Sequence, residues 1–264
     1  MTKDWQLVVA FVALVGLAWG CSPYDGNIAE VHGLTDLHRA VSAGDLEAVR
    51  ALLADGAHAN VQDMDGVAPL HRAARDGKIE MAKLLVQYHA DVSLQTKEGW
   101  DALQLAAWKG NEEMVYLLMS YKAIANRKTP QGWTSLHLAA MKGNEGMVKT
   151  LLSDWSSHEK FGKPSPNDAD NNGNTPLHLA AAKPKPDMVN TLLQLGGDPN
   201  VADAAGNTPL HLIAGTGSEF MSTRLLLKGA DINRQNRAGQ TPHALAVEKG
   251  DTILAAFLAS RGGR

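Results

Sequence analysis

Five histidines, His38, His71, His137, His178 and His211, are the residues of this chain whose type and spacing come nearest to chemistry. Imidazole is the commonest metal ligand and a ready general base, so a regular row of it raises zinc first. Shared zinc ligands must all lie about 2.0–2.1 Å from one ion. The closest members of this row stand 33 residues apart, and neither His-Glu-x-x-His nor a paired Cys/His pattern accompanies them. A second hint is Asp168-Ala169-Asp170-Asn171-Asn172-Gly173, which imitates the start of a calcium loop, with oxygen ligands at alternate positions and glycine sixth. Its twelfth position, where a bidentate Glu belongs, is Leu179, so the segment reads as a turn. Glu112-Glu113 looks like a paired carboxylate, but adjacent helix positions point about 100° apart, which suits a solvated helix N-terminus. No Gly-x-Ser-x-Gly and no phosphate-cradling glycine loop is present, and the lone thiol, Cys21, follows an apolar run. The expectation is a non-enzyme with no cofactor and no metal.

Composition narrows the classes further. The 264 residues are 44% hydrophobic, 20% charged and only 5% aromatic, enough to bury a continuous core of small aliphatic side chains. A formal charge of −3 gives no basic stripe with which to release counterions, and nucleic acid is excluded as a partner class.

The histidines are positioned by a repeat. Thr-Pro-Leu-His stands at Thr175–His178 and Thr208–His211, and the first position recurs at Thr35, Ala68, Asp101, Thr134, Thr175, Thr208 and Thr241. The intervals are 33, 33, 33, 41, 33 and 33 residues, a period that means stacked supersecondary units. In the unit Gly173–Ala205, Thr175 suits an N-cap and Pro176 the first helical position. Leu177, Ala180 and Ala181 form a small-residue face, and a second helix is predicted from about Asp187 to Gln194 with Met188, Val189, Leu192 and Leu193 inward. Gly196-Gly197 stop it, and Asp198-Pro199-Asn200 start an extended turn.

On these residues the chain resembles the ankyrin-repeat family. The resemblance implies an all-α solenoid of about seven helix-turn-helix units with β-turn or hairpin loops, near 33–65, 66–98, 99–131, 132–172, 173–205, 206–238 and 239–260, with a tail at 261–264. Stacked copies of one position lie about a helix diameter apart, too far for shared ligation, and the resemblance gives the five histidines the role of tying units together through backbone hydrogen bonds. The third unit departs most, with Asp101-Ala102-Leu103-Gln104 in place of the motif. The fourth carries 8 extra residues between Ser153 and Ser165, including Trp155 and Phe161, which read equally as a binding loop or a tolerated insertion.

Partners of the family usually meet the turn tips and the exposed face of the first helix. Onto those places the sequence maps Trp100, Trp108, Trp133, Met141, Arg75, Lys109 and Lys142, expected to converge as an exposed concave cluster over units two to four. Asn174, Asn207 and Gln240 take the tip position in units five to seven, the polar end. The function expected is non-enzymatic protein–protein binding by a monomer, with a soluble secreted effector or inhibitor that masks a partner's active site as the alternative. An enzyme or metal-dependent protein is the remote one.

Residues 1–20 read as a signal peptide: Leu7 to Ala18 run without charge, too short for a membrane span, and Ala18 and Gly20 satisfy the small-residue cleavage rule. Cys21 then resembles a lipobox cysteine, although Ala18 stands where an aliphatic residue such as Leu is usual. Acylation of Cys21, ordinary cleavage and an uncleaved anchor all stay open. The expected localisation is a bacterial cell envelope, in the periplasm and membrane-anchored by lipid at Cys21, with 21–32 as the anchor and linker segment.

Overall fold

The computed structural model describes residues 34–153, 162, 164–183, 185–216 and 218–264. The signal segment, Cys21, the linker, residues 154–161 of the fourth-unit insertion and Pro184 of the fifth-unit turn lie outside the described residues.

Fourteen helices and no strands occur among the described residues, two helices to each of seven units. The first helices are Asp36–Ala43, Pro69–Arg75, Ala102–Lys109, Ser135–Lys142, Pro176–Ala182, Pro209–Leu212 and Pro242–Glu248; the second are Leu46–Ala54, Ile79–Gln87, Glu112–Ser120, Glu145–Leu152, Pro186–Gln194, Glu219–Leu227 and Thr252–Ser260. First helices pack on first helices and second on second, so each hairpin shares its apolar face with the next. None of these helices reaches the length of about 12–15 residues at which isolated helices become even marginal, so the stack supplies their stability. Alanine pairs such as Ala73-Ala74, Ala106-Ala107 and Ala139-Ala140 are fully buried and let the first helices approach closely, while Met114, Leu118, Met147, Leu151, Met188 and Leu192 fill the layer of second helices.

Each tip is a tight turn closed by backbone bonds, as in Thr96 N–H to Trp100 O (2.9 Å) and Asp203 N–H to Asn207 O (2.8 Å). Neighbouring tips are stitched by Lys97 to Asp65, Asn171 to Gln131, Ala204 to Asn172 and Arg237 to Ala205, each an N–H on a carbonyl. Between units three and four the corresponding residue is Pro130, which has no N–H to give. The close stacking explains the frame glycines: Gly206 has φ +82°, and a β-carbon there would sit 2.7 Å from the Arg237 amide nitrogen.

Two details differ from expectation. In Thr134, Thr175 and Thr208 the hydroxyl meets the histidine ring (2.8–2.9 Å) rather than a helix N–H; Thr35 and Thr241 do take the N–H. The first helix of unit six is cut to four residues, because Gly215, with φ +95°, follows where the other units continue their helix.

Candidate partner-binding face

The motif histidines tie the first helix of one unit to the backbone of the next. His137 Nδ1 accepts from the Thr134 N–H (3.2 Å), while its Nε2 meets the Asn174 carbonyl of the next unit at 3.0 Å. A carbonyl only accepts, so Nε2 carries the proton and Nδ1 is bare. His178 and His211 repeat the link to Asn207 and Gln240, and His38 makes it to Val67. His71 reaches Leu94 instead (3.0 Å), and in unit three Gln104 takes the histidine's place and donates to Arg127 O (2.9 Å). The shifted pair lies where the next tip carries Trp100 or Trp133. Burial pushes all five imidazoles below their ordinary value, His71 to about 4. They are structural bolts with both nitrogens spent.

Unit three substitutes its own version of the cap. Asp101 accepts from the Gln104 N–H (2.9 Å), and Gln104 Oε1 accepts from the Asp101 N–H (3.0 Å), a reciprocal capping box. Burial raises the Asp101 carboxyl to about 6, against the pull of Arg127, whose Nε lies 3.8 Å away.

Asp170, in the stretch resembling a calcium loop, uses its oxygens on the tip: Oδ1 accepts from the Asn172 and Asn174 amides at 2.8 Å, and Oδ2 from the Trp133 indole at 3.2 Å. Asp168 accepts from the Ser165 N–H. Among the described residues no three His, Cys, Asp or Glu side chains are grouped to hold a metal, and no helix is long and apolar enough to cross a membrane.

The candidate partner-binding residues separate into three sets. Trp108 lies half-buried with the Lys142 ammonium 3.9 Å from its ring centroid, a cation–π contact that crosses from unit four to unit three. Trp133 and Met141 are also half-buried against the core, and Lys109 is exposed at the end of its helix. Arg75 stands one unit away, its guanidinium on its neighbour Asp76 at 2.7 Å.

Trp100 is the correction: it is not part of an exposed cluster, being only 4% exposed. It follows the frame glycine Gly99 and turns beneath Trp108, with which it makes an edge-on contact at 6.2 Å between ring centroids. A large ring at that inward-turning tip position gains more from the core than from water. Trp100 therefore supports Trp108 from below.

Sequence reasoning passed over a buried ion pair. Arg72 occupies a position held by Leu105, Leu138, Leu179 and Leu212 in other units, and its guanidinium meets the Asp63 carboxylate at 2.7 Å with both side chains buried. An arginine in a leucine column was the available signal. A ladder of asparagines also escaped notice: Asn60, Asn167, Asn200 and Asn233 each donate to the carbonyl 29 residues on and accept the amide 31 residues on. Three of them recur at the 33-residue period.

A family model described as ankyrin repeats (3 copies) matches residues 37–129, 121–203 and 181–263, nearly all of the described chain. The chain belongs to the ankyrin-repeat family. Among solved structures it is similar to the human ASB11 ankyrin repeat domain, at 26% identity and a TM-score of 0.69, over 88% of this chain and 99% of that one. It is similar as well to the ankyrin repeat domain of Bcl-3, a member of the IkappaB protein family, at 26% identity and a TM-score of 0.74, over 86% of this chain and 99% of that one. No curated protein matches the chain. Ankyrin repeats are a protein–protein interaction fold, generally non-enzymatic.

Proposed function

We propose that this ankyrin-repeat protein is a non-enzymatic binding module that takes a protein partner on the concave face of units three and four. The observation that carries the reading is that three large side chains on two adjacent units, Trp108, Trp133 and Met141, are each left half-buried, with Lys142 laid over Trp108. Tryptophan, methionine and basic residues are the side chains that interface cores favour, and a ring already packed on one side loses little freedom when a partner covers the other. Trp100 beneath and the histidine bolts behind hold that surface rigid, so binding needs little reordering. The protein acts as a monomer, exported to a bacterial envelope and tethered by a lipid on Cys21, a reading supported by the apolar run before a lone cysteine.

Two experiments test this. Trp108→Ala weakens partner capture by about 2 kcal/mol or more, roughly thirtyfold, with helical content unchanged; loss of folding instead assigns Trp108 to the core alone. Metabolic labelling with a palmitate analogue that disappears in Cys21→Ser supports the tether, whereas wild-type protein without label overturns it.

A further inference from the structure

We infer that the second helices of units six and seven form a docking surface for an anionic lipid bilayer. The inference stands apart from the face proposed above, and its failure leaves that face untouched. Eight large hydrophobic side chains are exposed among the described residues, and four of them, Phe220, Leu227, Val247 and Ile253, belong to these two units. Val247 lies on a first helix; the other three share the layer of second helices. Phe220 and Ile253 are each the second residue of their helix, a place held by Glu47, Glu80, Glu113, Gly146 and Asp187 in units one to five. Leu227 ends its helix where Ala54, Gln87, Ser120 and Gln194 end theirs. The fold thus requires nothing apolar at either place, yet Phe220, Leu227 and Ile253 are 45%, 72% and 59% exposed.

The repeat brings the three together. Phe220 and Leu227 stand seven residues apart, two turns along one face of a helix. The two second helices pack on one another, about 8–10 Å apart, and Ile253 holds the same register as Phe220 on the neighbouring one. Exposed Ala256 and half-buried Phe257 continue the apolar surface along the second of them.

Charge decides what covers the patch. Residues 206–264 carry seven Lys and Arg against four Asp and Glu, a formal +3 in a chain whose total is −3, which leaves −6 on residues 1–205. Three of those cations border the patch: the Arg224 guanidinium lies over the Phe220 ring at 5.0 Å, that of Arg261 over Phe257 at 5.2 Å, and Lys228 follows Leu227. Three of the four acids serve other groups. Asp231 accepts from the Asn233 N–H, Asp251 from the Gly215 and Leu254 N–H groups, and Glu248 from the Gln240 amide. Glu219, the fourth, begins the helix that Lys228 caps at the other end. A cation after a helix C-terminus is favoured by the dipole whatever its use, so the basic residues alone decide nothing. Beside exposed Phe, Ile and Leu they match a bilayer surface, where apolar side chains enter the headgroup boundary and cations meet lipid phosphates. The acidic remainder of the chain is repelled by the same surface, so the contact is confined to this end. It uses second helices and leaves the first helices that carry Trp108 and Met141 open to a partner.

The test moves the chain's single thiol onto the patch: full-length Cys21→Ser/Ala256→Cys, labelled with a nitrobenzoxadiazole dye, is mixed with vesicles whose acyl chains are brominated. One set contains phosphatidylglycerol and phosphatidylcholine, the other phosphatidylcholine alone. The dye reports only its own surroundings, so attachment through the apolar run of residues 1–20 leaves it unquenched. The expected result is a blue shift with bromine quenching on phosphatidylglycerol vesicles, and binding weaker by about tenfold or more on phosphatidylcholine alone. Phe220→Ser/Leu227→Ser/Ile253→Ser is expected to weaken the quenching titration by about tenfold or more, and Arg224→Gln/Lys228→Gln/Arg261→Gln to erase the lipid preference. Should the apolar triple variant lose its helical circular dichroism, Leu227→Ser alone carries that comparison. An unquenched dye, equal binding to both vesicles, or indifference to either variant overturns the inference. A lipid-free dimer in analytical ultracentrifugation that the apolar variant disperses overturns it in favour of a second copy of the chain.

Discussion

The buried pair in unit two offers a perturbation whose outcome is already written in the neighbouring units. Asp63 and Arg72 meet at 2.7 Å with side-chain exposures of 1% and 4%, and the Arg72 Nε has no hydrogen-bond partner. One and two repeats further on, Thr96 with Leu105 and Thr129 with Leu138 hold the same two positions. There the threonine hydroxyl accepts from the tip amide at 3.2 Å, as an Asp63 oxygen does from Val67 at 2.9 Å. Asp63→Thr keeps the turn but leaves the buried Arg72 guanidinium facing the Ser42 hydroxyl at 3.4 Å in place of a carboxylate. Stranding a buried charge costs about 3–5 kcal/mol, whereas exchanging both partners for apolar packing is neutral or stabilising by about 1–4 kcal/mol. The double variant Asp63→Thr/Arg72→Leu is therefore expected to be at least as stable as wild type. Urea unfolding followed by circular dichroism reads this directly: with a slope of about 2–3 kcal/mol/M, the single variant moves the midpoint down by about 1 M or more. A single variant that costs under about 1 kcal/mol, or a double variant as unstable as the single, refutes the claim that the pair is an arginine stabilised by one carboxylate in a leucine column.

Acid weakens the stack through its histidines. Each is held neutral by burial, so its contribution is complete above the unfolded value of 6.5 and is lost as pH falls toward the folded one; for His71, at about 4, that is on the order of 3 kcal/mol. Protonation would also aim an N–H at the Ala68 amide that Nδ1 now accepts at 2.9 Å. His71→Gln, which copies Gln104, is expected to reduce the fall in melting temperature between pH 7 and pH 5, and an unchanged fall counts against this account. Asp101 works in the opposite direction: its carboxyl is raised from 3.8 to about 6, so its contribution grows as pH drops from 6 toward 3.8. Asp101→Asn, which keeps a capping side chain, is expected to stabilise the protein at pH 7.5 by on the order of 1–3 kcal/mol, and destabilisation there would show that the Arg127 contact outweighs burial.

The repeat was legible because its period, caps and glycines act locally. Thr175-Pro176 predicts a helix start and Gly196-Gly197 a stop, and the second helix of that unit, Pro186–Gln194, begins one residue from the expected place. The histidine links were legible through the family resemblance, since the position recurs with the frame. What sequence reasoning missed depends on which way a side chain turns. Trp100 and Trp133 occupy the same repeat position, yet one is buried and the other half-buried. Trp108 covers Trp100, while Trp133 reaches the Asp170 carboxylate at the following tip. Asp101 and Gln104 looked like a decayed motif, although Asp followed by Gln three positions on is itself a capping box. The early end of the first helix in unit six was readable from Gly215, a glycine in a last helical turn.

Site-specific photocrosslinking tests the central claim most directly. With a photoreactive residue at Met141, half-buried on a first helix, and in a second sample at Tyr116, exposed on a second helix, irradiation in cells should give a discrete protein adduct from Met141 and none from Tyr116. An adduct from Tyr116 with none from Met141 would contradict it, placing the partner on the layer of second helices.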